Sequence, residues 1–124
     1  MSLQELHERI EAVGAQAFLV TVSDGGEPHV VSVVIRRDGD DVAFDAGRTS
    51  RANLRAHGRA TLLWPARPVD GEPGEYSLIV DGQDAGDGDG EGDTITVHPT
   101  AAVLHRIAGS GGDGPSCIRI LAQD

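Results

Sequence analysis

An antiparallel β-barrel with short helices, built from six or seven strands, is the fold class this sequence predicts. Three observations carry it. Apolar runs of strand length recur at short spacing from Ala17 onward. Turn signals rich in Gly and Asp separate most of them, and the chain has 17 Gly. One short helical stretch interrupts the series near its centre, with no alternation of strands and long helices that would suggest a parallel sheet. At 124 residues with no linker and no internal repeat, the chain reads as a single domain over residues 1–124.

The elements follow in order. Ser2 and Glu5 form an S-x-x-E capping box, and Leu3, Leu6, Ile10 and Val13 share one face, so a helix is predicted to Val13 with Gly14 ending it. AFLVTV, Ala17 to Val22, is the first strand, and SDGGEP the turn after it. HVVSVVIRR, His29 to Arg37, is apolar on both faces at its centre and is predicted to lie deep in the sheet. In DVAFDAG, Val42, Phe44 and Ala46 alternate with Asp41, Ala43 and Asp45, as in a half-buried strand. A short helix follows, with Thr49 or Ser50 as its cap, Leu54 as its apolar anchor and Gly58 at its end. RATLLWP is the next strand, and Trp64 alternates with Leu62 and Ala60 toward the core or an interface. EYSLIVDG presents Tyr76, Leu78 and Val80 on one face. QDAGDGDGEGD reads as a solvated hairpin end, DTITV as a strand, HPTAAVLHRIA as opening with a helical turn after Pro99, and CIRILA as the last strand.

Composition excludes several functions. The ten basic residues are all Arg, so an amine Schiff base and a Walker phosphate loop are both impossible. A net charge of −10 disfavours nucleic acid and anionic membrane surfaces as partners. No apolar run approaches a membrane span. The opening helix is acidic and unlike a secretory signal. Cys117 has no disulfide partner, and a cytoplasmic location is expected.

The charge is segregated. Ala46 to Val69 holds five Arg (Arg48, Arg51, Arg55, Arg59 and Arg67) and no acid, whereas Asp70 to Asp93 holds nine acids and no base. Either neighbouring strands balance each other or the basic stretch receives an anion. AGRTSRAN favours the second reading: a strand ending in Gly feeds a helix whose free N–H groups and dipole attract phosphate. Thr49 and Ser50 add hydroxyls there, and Arg48 and Arg51 add planar bidentate donors. Other constellations are weaker. DAGDGDGEGD places Asp87, Asp89, Glu91 and Gly92 like a calcium loop, but its last ligand position is His98, so a solvated turn is the reading and no metal site is predicted. His7, His29, His57, His98 and His105 make no metal spacing. His29 and His105 are weak candidates for lining a pocket or moving a proton, and the catalytic residues are otherwise unknown.

The order AFLVTVSDGGEPHVVSVVIRRDGDDVAFDAGRTSRANLRAHGRATLLWP, with the later EYSLIVDG and VLHR, resembles the flavin-binding split barrel of the pyridoxamine 5′-phosphate oxidase-like superfamily. The resemblance covers about residues 3 to 108 and extends to short actinobacterial flavin or deazaflavin oxidoreductases. It implies a homodimer with two flavin sites at its interface. Val31, Ser32 and Val33 would lie along the isoalloxazine ring, and Arg48, Thr49, Ser50, Arg51 and Asn53 would surround the phosphate. The sequence departs from many relatives in having no Lys at the helix start and in lacking the long C-terminal substrate region of true pyridoxamine phosphate oxidases. The expected cofactor is FMN, with a deazaflavin or none as alternatives; a polyglutamate tail would have to meet the Arg stretch. The implied function is a flavin-dependent oxidoreductase acting on a small molecule. The alternative is a split barrel that binds a flavin or another anionic ligand without catalysis.

Overall fold

The computed structural model describes residues 2–67, 75–86, 92–109 and 114–121. Two helices, α1 (Leu3–Val13) and α2 (Arg48–His57), accompany eight strands. These are β1 (Gln16–Val22), β2 (Pro28–Val34), β3 (Arg36–Asp38), β4 (Asp41–Asp45), β5 (Arg59–Trp64), β6 (Tyr76–Asp84), β7 (Thr94–Arg106) and β8 (Cys117–Leu121). All pairings are antiparallel, in the order β2-β1-β5-β6-β7-β4-β3, with β8 added beside β7. The two ends of this order, β2 and β3, are successive pieces of one run of chain that breaks at Ile35. The sheet therefore curls until its ends meet. The break accounts for eight strands where seven runs are legible in the sequence.

The predicted strand from His29 to Arg37 is corrected in a second respect. It does not lie deep in the sheet: β2 pairs only with β1. Val33 points inward and is buried, while Val30 and Val34 are 55% and 58% exposed. Both faces are apolar because one fills the barrel and the other forms an uncovered outer surface. At the break, the Ile35 N–H donates to the Ala15 carbonyl at 2.8 Å, which holds the bend against the end of α1.

α1 starts as expected, with the Ser2 hydroxyl accepting from the Glu5 N–H at 3.2 Å. It ends at Gly14, whose φ of +100° suits glycine. Leu6 and Ile10 are buried against the barrel. The core joins them to Leu19, Val42, Phe44, Leu62, Trp64, Leu78, Val80 and Val97. Trp64 is fully buried, and its indole N–H donates to the Gly14 carbonyl at 2.8 Å. It thereby ties the end of α1 to β5 from within the core. Trp64→Phe is expected to lower stability by about 1–3 kcal/mol, because the Gly14 carbonyl loses its partner and the smaller ring underfills the site. Urea unfolding of both proteins measures this.

The predicted helical turn after Pro99 is also corrected, since β7 runs unbroken through it. Pro99 lies opposite Gly82 where the β6–β7 register shifts between Asp81 and Gly82. A bulge does not require the N–H that proline lacks. Gly82 admits the close approach there, since a Cβ on it would stand 3.2 Å from the His98 carbonyl. From Ala102 to His105, β7 is paired on both sides, by β6 and β8. Tertiary pairing there outweighs the helix preference of the Ala-rich segment.

Among the described residues no helix is long and apolar enough to cross a membrane.

Candidate functional site

Between the free edge of β2 and the end of β4 the curled sheet stays open. Gln16, Ser32, Val33, Val34, Arg36 and Asp45 line a groove of about 270 Å³ there. Strand parity decides what each predicted ring-contact residue offers. Ser32 faces outward and is exposed. Val33 is buried and can present only its backbone there, and Val31, half-buried against the core, does not line the groove. Gln16, Arg36 and Asp45 were not singled out by sequence reasoning. Their signal was the alternation itself: each occupies an outward position on a strand whose partners are known only after folding.

α2 begins three residues beyond Asp45. The predicted cap at Thr49 or Ser50 is corrected: Gly47 is the N-cap, with extended backbone, and makes no side-chain capping bond. The N–H groups of Arg48, Thr49 and Ser50 thus form a first turn with no side-chain cap and no acidic residue. The positive end of the helix dipole is left uncompensated there.

The predicted phosphate residues divide into two groups. Arg48 and Thr49 are exposed at the helix start, and Arg48 has no ion-pair partner among the described residues. Ser50 is 1% exposed, so its hydroxyl lies under the first turn. Arg51 is engaged: its guanidinium pairs with the Asp93 carboxylate and donates to the Gly92 carbonyl at 3.3 Å. Charge balance between neighbouring segments, one of the two readings of the basic stretch, is therefore realised at Arg51. Asn53 is buried and donates to the Thr21 hydroxyl at 3.2 Å, which docks α2 against β1 beneath the turn. Asp93 also accepts from the Ala46 N–H through its carbonyl at 2.9 Å, so this end of the acidic segment is structural. Asp87, Asp89 and Glu91 lie outside the described residues.

Asp45 joins the groove to the helix start. Thr94 donates to its carboxylate at 2.7 Å and Arg36 at 3.4 Å. The Thr94 hydrogen bond, with help from Arg36, holds the Asp45 carboxyl below the ordinary aspartate value. With its folded pKa depressed, Asp45 contributes stability above its unfolded value, and that contribution is lost as pH falls through the folded value. NMR titration is expected to show Asp45 ionised to lower pH than an ordinary aspartate, and Thr94→Val is expected to move its midpoint upward.

The weak histidine candidates lie apart from the groove. His29 is half-buried opposite Thr21. His105 is exposed on β7, with Nδ1 3.0 Å from the Arg106 carbonyl.

No family model and no curated protein matches this chain. Solved structures do. A protein from Clostridium acetobutylicum related to general stress protein 26 of B. subtilis, of the pyridoxinephosphate oxidase family, superposes with a TM-score of 0.61 at 11% identity, over 97% of each chain. An F420 reductase superposes with a TM-score of 0.56 at 20% identity, over 77% of this chain and 94% of that one. The chain has the split-barrel fold. A heme-binding protein from Mycobacterium smegmatis shares the split barrel as well, with a TM-score of 0.66 at 15% identity, over 98% of this chain and 58% of the other.

Proposed function

We propose that this split barrel is a homodimeric oxidoreductase that binds FMN or a deazaflavin along the β2 edge and acts on a small molecule. The observation that carries the reading is that the groove at Ser32 and Val34 reaches Asp45, three residues before the uncapped first turn of α2. A ring system and a phosphate at one end of it demand that combination of surfaces. The residues fit such a cofactor in kind: an unpaired strand edge for the polar rim of the ring, and free N–H groups with Arg48 and Thr49 for an anion. A bound flavin would supply the hydride chemistry. The chain's own residues would bind and orient it, and Asp45 would repel a second anion from the groove.

The homodimer is supported by the outer face of β1 and β2. Val30 and Val34, with Phe18 at 38% and Val22 at 43% exposure, lie beside Val20 and Ser32 by register. Leu63 and Ile79 extend the same face across β5 and β6. Such a contiguous apolar surface marks an interface, and an obligate dimer would bury more than about 2,000 Å² in total. The face borders the groove, so a second copy seated on it would wall the groove.

The alternative is a split barrel that holds a flavin or another anionic ligand without turnover; it is favoured by the groove lining, which among the described residues holds no histidine or cysteine. Visible absorption of the purified protein tests both. Flavin or deazaflavin bands with reduction by a nicotinamide donor support the enzyme, bands without turnover support the binding protein, and a colourless protein that takes up neither FMN nor F420 defeats both.

A further inference from the structure

Beneath α1, on the opposite face of the β2–β3 segment from the groove, lies a second cavity of about 330 Å³. Alternation from Val34 to Arg37 separates the two. Val34 and Arg36 line the groove, whereas Ile35 and Arg37 line the cavity. Ile10 from α1, Ile35 from the strand break and Val42 from β4 form its apolar wall, and Glu11 and Arg37 stand at its rim. Its volume falls at the lower end of the range for small-molecule pockets.

The polar group that distinguishes this cavity is His7. It is 2% exposed, yet it lines the cavity. One ring nitrogen, Nε2, lies 3.0 Å from the Asp40 carbonyl. A carbonyl only accepts, so Nε2 carries a hydrogen, and in the tautomer that carries only that one Nδ1 is an acceptor. Nδ1 has no partner among the described residues. His7 borders the cavity, so a donor on a ligand there can supply the hydrogen bond that Nδ1 lacks. Arg37 is held at the rim, with Nε donating to the Gly39 carbonyl at 2.8 Å and Nη2 to the Gln4 side chain at 3.1 Å. Two of its donors are thus committed within the protein, and it serves to shape the entrance.

We infer that the cavity between α1 and the Ile35 break is a second ligand site, which takes a small, neutral, apolar molecule carrying one hydroxyl donor directed at His7. Phenols and short alcohols share that chemistry. The site is independent of the cofactor reading, because none of its lining residues belongs to the groove or to α2.

The test compares para-cresol with its methyl ether, which has nearly the same shape but no donor. Binding is followed by NMR shifts of the Ile10, Ile35 and Val42 methyl groups. Para-cresol is expected to bind at least about tenfold more tightly than the ether, the scale of one buried hydrogen bond. His7→Phe is expected to abolish that preference. Ala15→Trp, at an exposed position on the rim, is expected to block both ligands while leaving the core intact, which covers the case in which His7→Phe fails to fold. Equal affinity for the two ligands, shifts centred on Ser32 and Val34 instead, or no binding at millimolar concentration would each overturn the inference.

Discussion

The double variant Phe18→Glu, Val34→Glu is expected to sediment as a monomer and to bind FMN at least about a hundredfold more weakly than the wild type. Both residues are on the outer face of the β1–β2 pair and are already 38% and 58% exposed in a single chain. Introducing charge there costs an isolated subunit little. Against a second copy of the same face, each carboxylate would be buried without a partner, at several kcal/mol. Two-fold symmetry doubles the number of such groups. Loss of the dimer would remove one wall of the proposed site, and the carboxylate at position 34 would stand in the groove itself, so flavin affinity should fall on both counts. Sedimentation at micromolar concentration and a flavin fluorescence titration read the two effects separately. A variant that remains dimeric would place the interface elsewhere. A monomer that binds FMN undiminished would show that one chain suffices for the site.

The second large effect is expected at the start of α2. Arg51→Ala should weaken FMN by about ten- to a hundredfold, the scale of a charge-assisted hydrogen bond, and should leave riboflavin nearly unchanged because it has no phosphate. The structure adds a control that the amino-acid order alone does not suggest. Arg51 is paired with Asp93, so a phosphate must draw the guanidinium from that carboxylate or share it. Asp93→Asn should therefore tighten FMN while sparing riboflavin. If Arg51 serves only to fasten α2 to the segment before β7, both ligands will lose affinity equally in Arg51→Ala and Asp93→Asn will tighten neither. In that case Arg48, exposed at the first helical position, is the remaining cation for the phosphate, and Arg48→Ala should show the selective loss.

Some of the site was legible before folding because it depends on local rules. A strand that ends in Gly followed by R-T-S-R-A-N-L marks a helix start by composition, and the observed cap, Gly47, lies two residues before Thr49 and three before Ser50, the two expected positions. Alternation in DVAFDAG identified Val42, Phe44 and Ala46 as inward-facing, as they are. Periodicity likewise sets Leu6, Ile10, Leu78 and Val80 on faces that are buried, with Leu3, Val13 and Tyr76 of the same faces half-buried, and Leu54 is buried as the anchor of its helix. The charge segregation was visible too, but its meaning was not: sequence could not tell whether Arg51 faces an acid or a ligand, because Asp93 is 42 residues away.

Elsewhere, distant partners decided the outcome. Whether HVVSVVIRR lies inside or at the margin of the sheet depends on who pairs with it. An apolar residue buried in a barrel and one awaiting a partner surface look the same in one dimension. The break at Ile35 is created by two competing ladders, with β1 on one side and β4 on the other, and no local turn signal marks it. The Ala-rich stretch after Pro99 has helical preference, which the hydrogen bonds of β6 and β8 override. Local propensity and periodicity thus specify the elements and their inward faces. The groove, the cavity under α1 and the pairing of Arg51 exist only once segments far apart in the chain are brought together, because each is a property of the space between elements.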